Sequence, residues 1–132
     1  MNEVKIIGLD KIEKLTKDIA DRLKDSSKCM EIIANQSRSD VERHFSKEEG
    51  DTGKWEPLKK RSGKALQDTG RLRSSFQTKH SKNSANVYTN VKYAGYHNFG
   101  TSRIPQRKFM WNSKEIRDLF DKTYLDFILR GK

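Results

Sequence analysis

The sequence predicts an α+β domain, and three observations carry that prediction. Apolar residues recur at helical spacing from Leu9 to Phe45, two runs of alternating character flank the turn-rich SKNSAN, and a second helical face runs from Ile116 to Ile128. The expected architecture is a long N-terminal helix, a small antiparallel β-sheet or hairpin, a projecting loop arm and a C-terminal helix, all within one domain spanning 1–132.

Asp10 followed by Glu13 has the spacing of a capping box. Leu9, Ile12, Leu15, Ile19, Leu23, Met30 and Ile33 then recur at spacings of three, four or seven, and the stripe continues through Val41 and Phe45 to EEGDTG. This predicts a long helix over 10–48 with a kink near DSS, 25–27; VKIIG before it is a short edge strand or a lead-in. Residues 50–71 read as a basic, irregular connection whose apolar anchors are Trp55, Pro57 and Leu58. Hairpin and arm fill 72–111, with strands expected at 72–80 and 86–94. Asn112 or Ser113 caps a final helix over 113–130, whose face is Ile116, Leu119, Phe120, Tyr124, Phe127 and Ile128.

Only 33% of the residues are apolar and 35% are charged, so the core is small and suits a chain that completes its burial against partners. The net charge of +10 lies in the middle of the chain. Residues 1–50 hold 10 Lys+Arg against 11 Asp+Glu, residues 51–111 hold 13 against 3, and residues 112–132 hold 5 against 4. A field of that kind attracts phosphates or an acidic protein face. No apolar run approaches the ~20 residues of a membrane span, and no signal peptide is read at the N-terminus. The lone Cys29, on the first helix, excludes an internal disulfide, fits a reducing cytoplasm and reads as a small buried apolar residue.

The stretch YAGYHNFGTSRIPQRKFM, 93–110, concentrates aromatics, chain breakers and cations around His97. An enzyme centred on His97 finds little support. His44, His80 and His97 lack metal-ligand spacing, no nucleophile elbow or phosphate-binding loop is present, and residues 51–111 offer only Asp51, Glu56 and Asp68 as carboxylates. HNFG has the start of a His-Asn-His nuclease motif, but its second histidine and metal ligands do not follow. No catalytic, metal or cofactor site is therefore expected. A sequence-tolerant nucleic-acid-binding module stays open as the alternative, because thirteen cations interleaved with aromatics can grip a phosphate backbone. Docking to a protein is the other reading. Arg103, Ile104, Pro105, Arg107, Lys108, Phe109, Met110 and Trp111 combine a proline-stiffened extended element with the arginine and aromatic content of interface centres, and composition fits equally a surface loop whose aromatics fold back onto the domain's own core. On this reading 93–100 packs inward and 101–110 points outward.

The order of motifs adds a family. W-x-P-L-K (55–59), L-x-D-T-G-R-L-R-x-S-F (66–76), V-x-Y-A-x-x-H-x-x-G-T (91–101) and I-P-x-R-x-F (104–109) resemble, in this order, the phage virion morphogenesis family of tailed bacteriophages and prophages. The likeness spans roughly 5–125. It implies a non-enzymatic structural protein of tail completion or head–tail joining, built as a ring of identical copies in the host bacterial cytoplasm and carried at the neck or tail of the virion. The partners implied are further copies of the chain, tail and head–tail connector proteins, and non-specific contact with packaged DNA, with no membrane. The related tail-component family shares TG-x-L-x-x-S and YA-x-x-x-x-x-G. Carried over, the match implies that Trp55, Pro57 and Leu58 anchor the connection. Thr69, Gly70, Leu72 and Ser75 would turn into the first strand. Tyr93, Ala94, His97 and Gly100 would make a compact bend, with His97 packed and hydrogen-bonded, and Pro105, Arg107 and Phe109 would form the arm. QRKFMW stands where a second proline or small residue usually follows the arginine.

Overall fold

A computed structural model of the protein describes residues 8–59, 63, 65–67 and 69–132, and the fold is α+β. Helices α1 (Leu9–Lys24) and α2 (Ser27–Lys47) lead into a small hairpin of β1 (Glu49–Gly50) and β2 (Gly53–Lys54). A second hairpin, β3 (Gln77–His80) with β4 (Ala85–Tyr88), precedes the short α3 (Ala94–Phe99) and the terminal α4 (Lys114–Arg130). Both hairpins are antiparallel, with Glu49 opposite Lys54 in one and Gln77 opposite Tyr88 and His80 opposite Ala85 in the other.

The expected long helix over 10–48 is two helices. Asp25 is extended, at φ −137° and ψ 98°, and its Oδ1 accepts hydrogen bonds from the backbone N–H (3.0 Å) and hydroxyl of Ser27. Those bonds favour the ionised carboxyl and hold the Asp25 pKa down. The Ser26 N–H donates instead to the Lys82 carbonyl in the turn of the second hairpin, at 3.0 Å. The side chains of DSS thus compete with helical backbone bonding, and the chain breaks where the kink was expected. The start differs too: helix α1 opens from Gly8 at φ 96° with no side-chain cap, so Asp10 contributes charge to the first turn and no capping box forms. The expected strand or lead-in at 4–8 lies almost wholly outside the described residues, as do positions 60–62, 64 and 68 of the connection.

The strands expected at 72–80 and 86–94 are also shorter. Residues Arg73–Ser75 wind into a 3-10 turn around the buried Leu72, and the Thr89 hydroxyl accepts the Val91 N–H at 3.2 Å, ending the second strand and starting the turn into α3. At the C-terminus Ser113 caps α4 through its Oγ, which accepts from the Ile116 N–H at 3.1 Å.

Helix α2, about 31 Å long, joins two apolar clusters. Its C-terminal half gives Val41 and Phe45 to a core with Trp55, Ala65, Leu72, Phe76, Val91, Ala94 and Phe109. Phe45 is fully buried, edge-on to Trp55 (ring centroids 5.4 Å apart) and tilted against Phe76 (5.7 Å) and Phe109 (5.2 Å). The N-terminal half gives Cys29 and Ile33 to a smaller cluster with Phe127 and Ile128 of α4. Cys29 has no exposed surface, and burial pushes its thiol pKa up, so it is an inert packing residue. Among the described residues no helix is long and apolar enough to cross a membrane.

Phe45→Ala is expected to lower unfolding free energy by about 3–5 kcal/mol, read from denaturant curves, whereas Leu15→Ala on the half-exposed face of α1 changes it little. Equal costs at the two positions would contradict the placement of the core. Native Cys29 should resist alkylating reagents and react only after denaturation.

Candidate docking site

Gly100 sets the geometry of the stretch 93–110. It lies at φ 76°, and a Cβ there would stand 3.0 Å from the Gln106 Cβ, so only glycine fits as the chain doubles back. The Gly100 N–H closes α3 on the Tyr96 carbonyl, and the Thr101 N–H bonds the Ile104 carbonyl at 2.9 Å across a tight loop. Thr101, Ser102, Arg103 and Gln106 are exposed on this loop, while Ile104 and Pro105 are half-buried.

Beyond Gln106 the chain returns to the body. Arg107 is 7% exposed: its Nε donates to the Glu56 carbonyl at 2.9 Å and its Nη2 to the Pro57 carbonyl at 3.3 Å, while its N–H donates to the His97 carbonyl at 2.8 Å. Lys108 pairs with Asp51 at 3.0 Å, and its carbonyl accepts the Trp55 Nε1–H at 2.9 Å. Phe109 is 2% exposed and sits in the main core. Met110 and Trp111 are half-buried, with Trp111 stacked on His44 at 4.0 Å between ring centroids. The arm predicted over 103–111 is thus shorter than expected: its surface part is the loop 101–106, and 107–111 is a core segment.

The inward half differs in the opposite sense. Ala94 and Asn98 are buried, and Tyr93 is half-buried with its ring edge-on to His97 at 5.9 Å. Tyr96 and Phe99, expected to pack inward, are 58% and 74% exposed. They stand three residues apart on α3 and so share a face. The exposed side chains of this region are therefore Tyr96 and Phe99 on α3 and Arg103 on the loop that follows. Sequence reasoning missed these two aromatics, although their spacing against Asn98 is a signal in hindsight.

His97 is half-buried, and its Nδ1 is buried without a hydrogen-bond partner among the described residues. Burial, with the neighbouring Arg107 guanidinium second, holds its pKa below the ordinary value of 6.5. The ring is therefore neutral at pH 7 and half-buried. Two clefts, of about 360 and 450 Å³, share Leu58, His97 and Arg107 as walls. Thr69, Leu72 and Tyr93 line the first, while Pro57, Arg103, Ile104 and Pro105 line the second. Pro57 itself is exposed, and Gly70 turns the chain at φ 73° ahead of Leu72. Ser75 Oγ bonds Thr89 Oγ1 at 2.6 Å, tying that turn to the end of β4. Among the described residues no three His, Cys, Asp or Glu side chains gather as a metal site.

The region thus combines exposed Tyr96, Phe99 and Arg103 with a shallow cleft walled by Pro57, Leu58, Ile104 and Pro105 and by Lys59, His97, Arg103 and Arg107. Residues 7–123 match the model of the phage virion morphogenesis family, and the chain belongs to that family. It is 32% identical over 117 residues to Mu-like prophage FluMu G protein 2 of Haemophilus influenzae (strain Rd), the alignment covering 83% of each chain. No solved structure matches. Membership carries a structural role in building the phage particle.

With the His97 pKa depressed below its unfolded value, unfolded chains bind the extra proton, so stability is complete above about pH 6.5 and declines as pH falls through that value. Melting temperatures between pH 7.5 and 5.5 should drop more for the native chain than for His97→Gln. Parallel curves for the two proteins would count against the buried, neutral ring.

Proposed function

We propose that this chain is a non-enzymatic structural subunit acting in tail completion or head–tail joining, as a ring of identical copies assembled in the host cytoplasm and retained at the neck or tail of the virion. The observation that supports the reading is the rim itself: in a chain of this family, Tyr96 and Phe99 of α3 stand exposed, and the exposed Arg103 of the following loop lines a cleft together with the buried Arg107. Exposed aromatics with arginine supply the anchors of protein interfaces, and tail or connector proteins are the partners they would meet.

The basic segment gives this reading a second component. Thirteen cations against three carboxylates in 51–111, repeated around a ring, would surround a central passage with positive potential. Two of those carboxylates, Asp51 and Glu56, are paired internally with Lys108 and Lys59. Packaged DNA would then be held through its phosphates without sequence readout.

Phe99→Asp, at an exposed position, should leave the fold intact and reduce the yield of tailed particles in a complementation assay by at least about tenfold, the effect of losing one interface anchor. Normal yields from that variant and from a chain lacking 101–106 would remove the docking role of the rim. DNA binding should weaken steeply between about 50 and 200 mM salt, and salt-insensitive binding, or none at low salt, would remove the DNA contact.

A further inference from the structure

The positive charge of the middle segment is concentrated more sharply than its totals show. Residues 69–114 hold nine Lys+Arg and no Asp or Glu, and the second hairpin lies inside that acid-free run. Side chains alternate across its two strands. Val87 faces the main core and Ala85 the smaller cluster, with Thr78 half-buried opposite Val87. The alternate pairs, Gln77 with Tyr88 and Lys79 with Asn86, therefore put four exposed side chains on the outward face. Ser81, Lys82, Asn83 and Ser84 in the turn are exposed too, as is His80. What this hairpin shows to solvent is lysines, amides, hydroxyls, an imidazole and a phenol, with no carboxylate and no exposed aliphatic side chain.

The face is held in place. Both strands pack on α2, the Lys82 carbonyl accepts the Ser26 N–H at 3.0 Å, and the Tyr88 hydroxyl donates to Gln77 Oε1 at 3.0 Å. Its lysines also stand apart from those elsewhere. Among the described residues, ion pairs join Lys54 to Glu49, Lys59 to Glu56, Lys108 to Asp51 and Lys114 to Asp118, and none includes Lys79 or Lys82. Asp25 lies near Lys82, but its carboxylate already accepts two bonds from Ser27. Arg107 is buried, and Arg73 is bonded to Gln67 and Ser46. Arg71, Lys92 and Arg103 are exposed one at a time on separate turns. A positive face attracts either an acidic protein or phosphate, and composition decides between them. Interface centres are apolar or aromatic and poor in lysine, whereas this face has a single phenol ring among lysines and amides. Lysine, asparagine, glutamine, tyrosine and serine are the side chains that bond phosphate oxygens and sugars on DNA.

We infer that the outward face of the β3–β4 hairpin, centred on Lys79 and Lys82, holds the phosphate backbone of duplex DNA. The inference rests on the DNA contact proposed above and locates it on one element of the basic segment. Each lysine set against a phosphate releases a condensed counter-ion, so binding here falls with salt and is indifferent to base sequence. The face includes neither Phe99 nor the loop 101–106, so a contact with DNA leaves those groups to protein partners.

Binding of the full chain to short DNA duplexes of two unrelated sequences, titrated against salt, tests it. Lys79→Gln with Lys82→Gln, at exposed positions and with a native melting temperature, should lower the slope of log affinity against log salt by about 2 per bound chain. At about 100 mM salt the same pair should weaken binding at least tenfold, equally for both sequences. Lys79→Arg with Lys82→Arg should bind as the native chain does. Lys11→Gln with Lys14→Gln, near the start of α1, removes the same charge from another surface and should change slope and affinity far less. Native affinity and slope in the Lys79→Gln, Lys82→Gln chain, or equal losses in the α1 variant, would overturn the inference while leaving a DNA contact elsewhere on the chain. A Lys79→Gln, Lys82→Gln chain that binds DNA normally yet yields few tailed particles would overturn it too, and would assign the hairpin to an acidic protein. A native chain that binds neither duplex at low salt removes the DNA contact itself, and the inference with it.

Discussion

The chain from Arg107 to Trp111 belongs to neither hairpin, and among the described residues most of its bonded backbone groups are satisfied by side chains drawn from distant elements. The Phe109 carbonyl accepts from Nδ1 of His44 at 2.6 Å, which places the proton on Nδ1 because a carbonyl can only accept. Asn98 Oδ1 accepts the N–H groups of both Phe109 and Met110 at 3.1 Å, and Trp55 Nε1–H reaches the Lys108 carbonyl. Leaving such groups unpaired costs about 1–3 kcal/mol each, and the Phe109 ring is held in the core only while the backbone around it is paired. Segment 107–111 thus ties α2, the connection at Trp55 and α3 to one another.

That tie explains why so lean a chain folds around one helix. With a third of its residues apolar, the protein does not build one broad core; it places a cluster at each end of α2 and lets polar side chains close the gaps between elements. Asp40, 5% exposed, belongs to the same arrangement: its carboxylate pairs with Arg43 and lies 3.6 Å from Nε2 of His44. Burial is spent on α2 and its partners, and little apolar surface remains to cover α1, none of whose residues is fully buried.

What could be read in the sequence follows from how local each cause is. Helical periodicity around Ile33 and Phe127, the serine cap of α4 and the turn in SKNS depend on residues within a few positions of one another and are legible, as is the position of the disturbance at DSS, though a kink in one helix was expected there and a full break is found. The path after Gly100 is not legible. Its partners His44, Trp55 and Asn98 stand 65, 53 and 11 positions from the groups they bond, and no period in the sequence encodes a segment whose neighbours are side chains. The reading of 101–110 as an outward arm therefore assigned Arg107 and Phe109 to the surface, where proline and charge suggested it, and long-range hydrogen bonding took them inside.

The same bonds decide the exposure of Tyr96 and Phe99. Besides accepting from Phe109 and Met110, Asn98 offers its backbone carbonyl to Gln106 Nε2 at 3.1 Å. Helix α3 is only six residues long, so fixing Asn98 inward fixes the rotation of the whole helix. At about 100° per residue, positions 96 and 99 then lie away from the core. Turning either aromatic inward would break the Asn98 bonds and release Phe109 from the main cluster. Their exposure is therefore a consequence of the core's own wiring, and it does not relax when the chain is alone. Side chains held in place in this way have little conformational freedom left to lose in a contact.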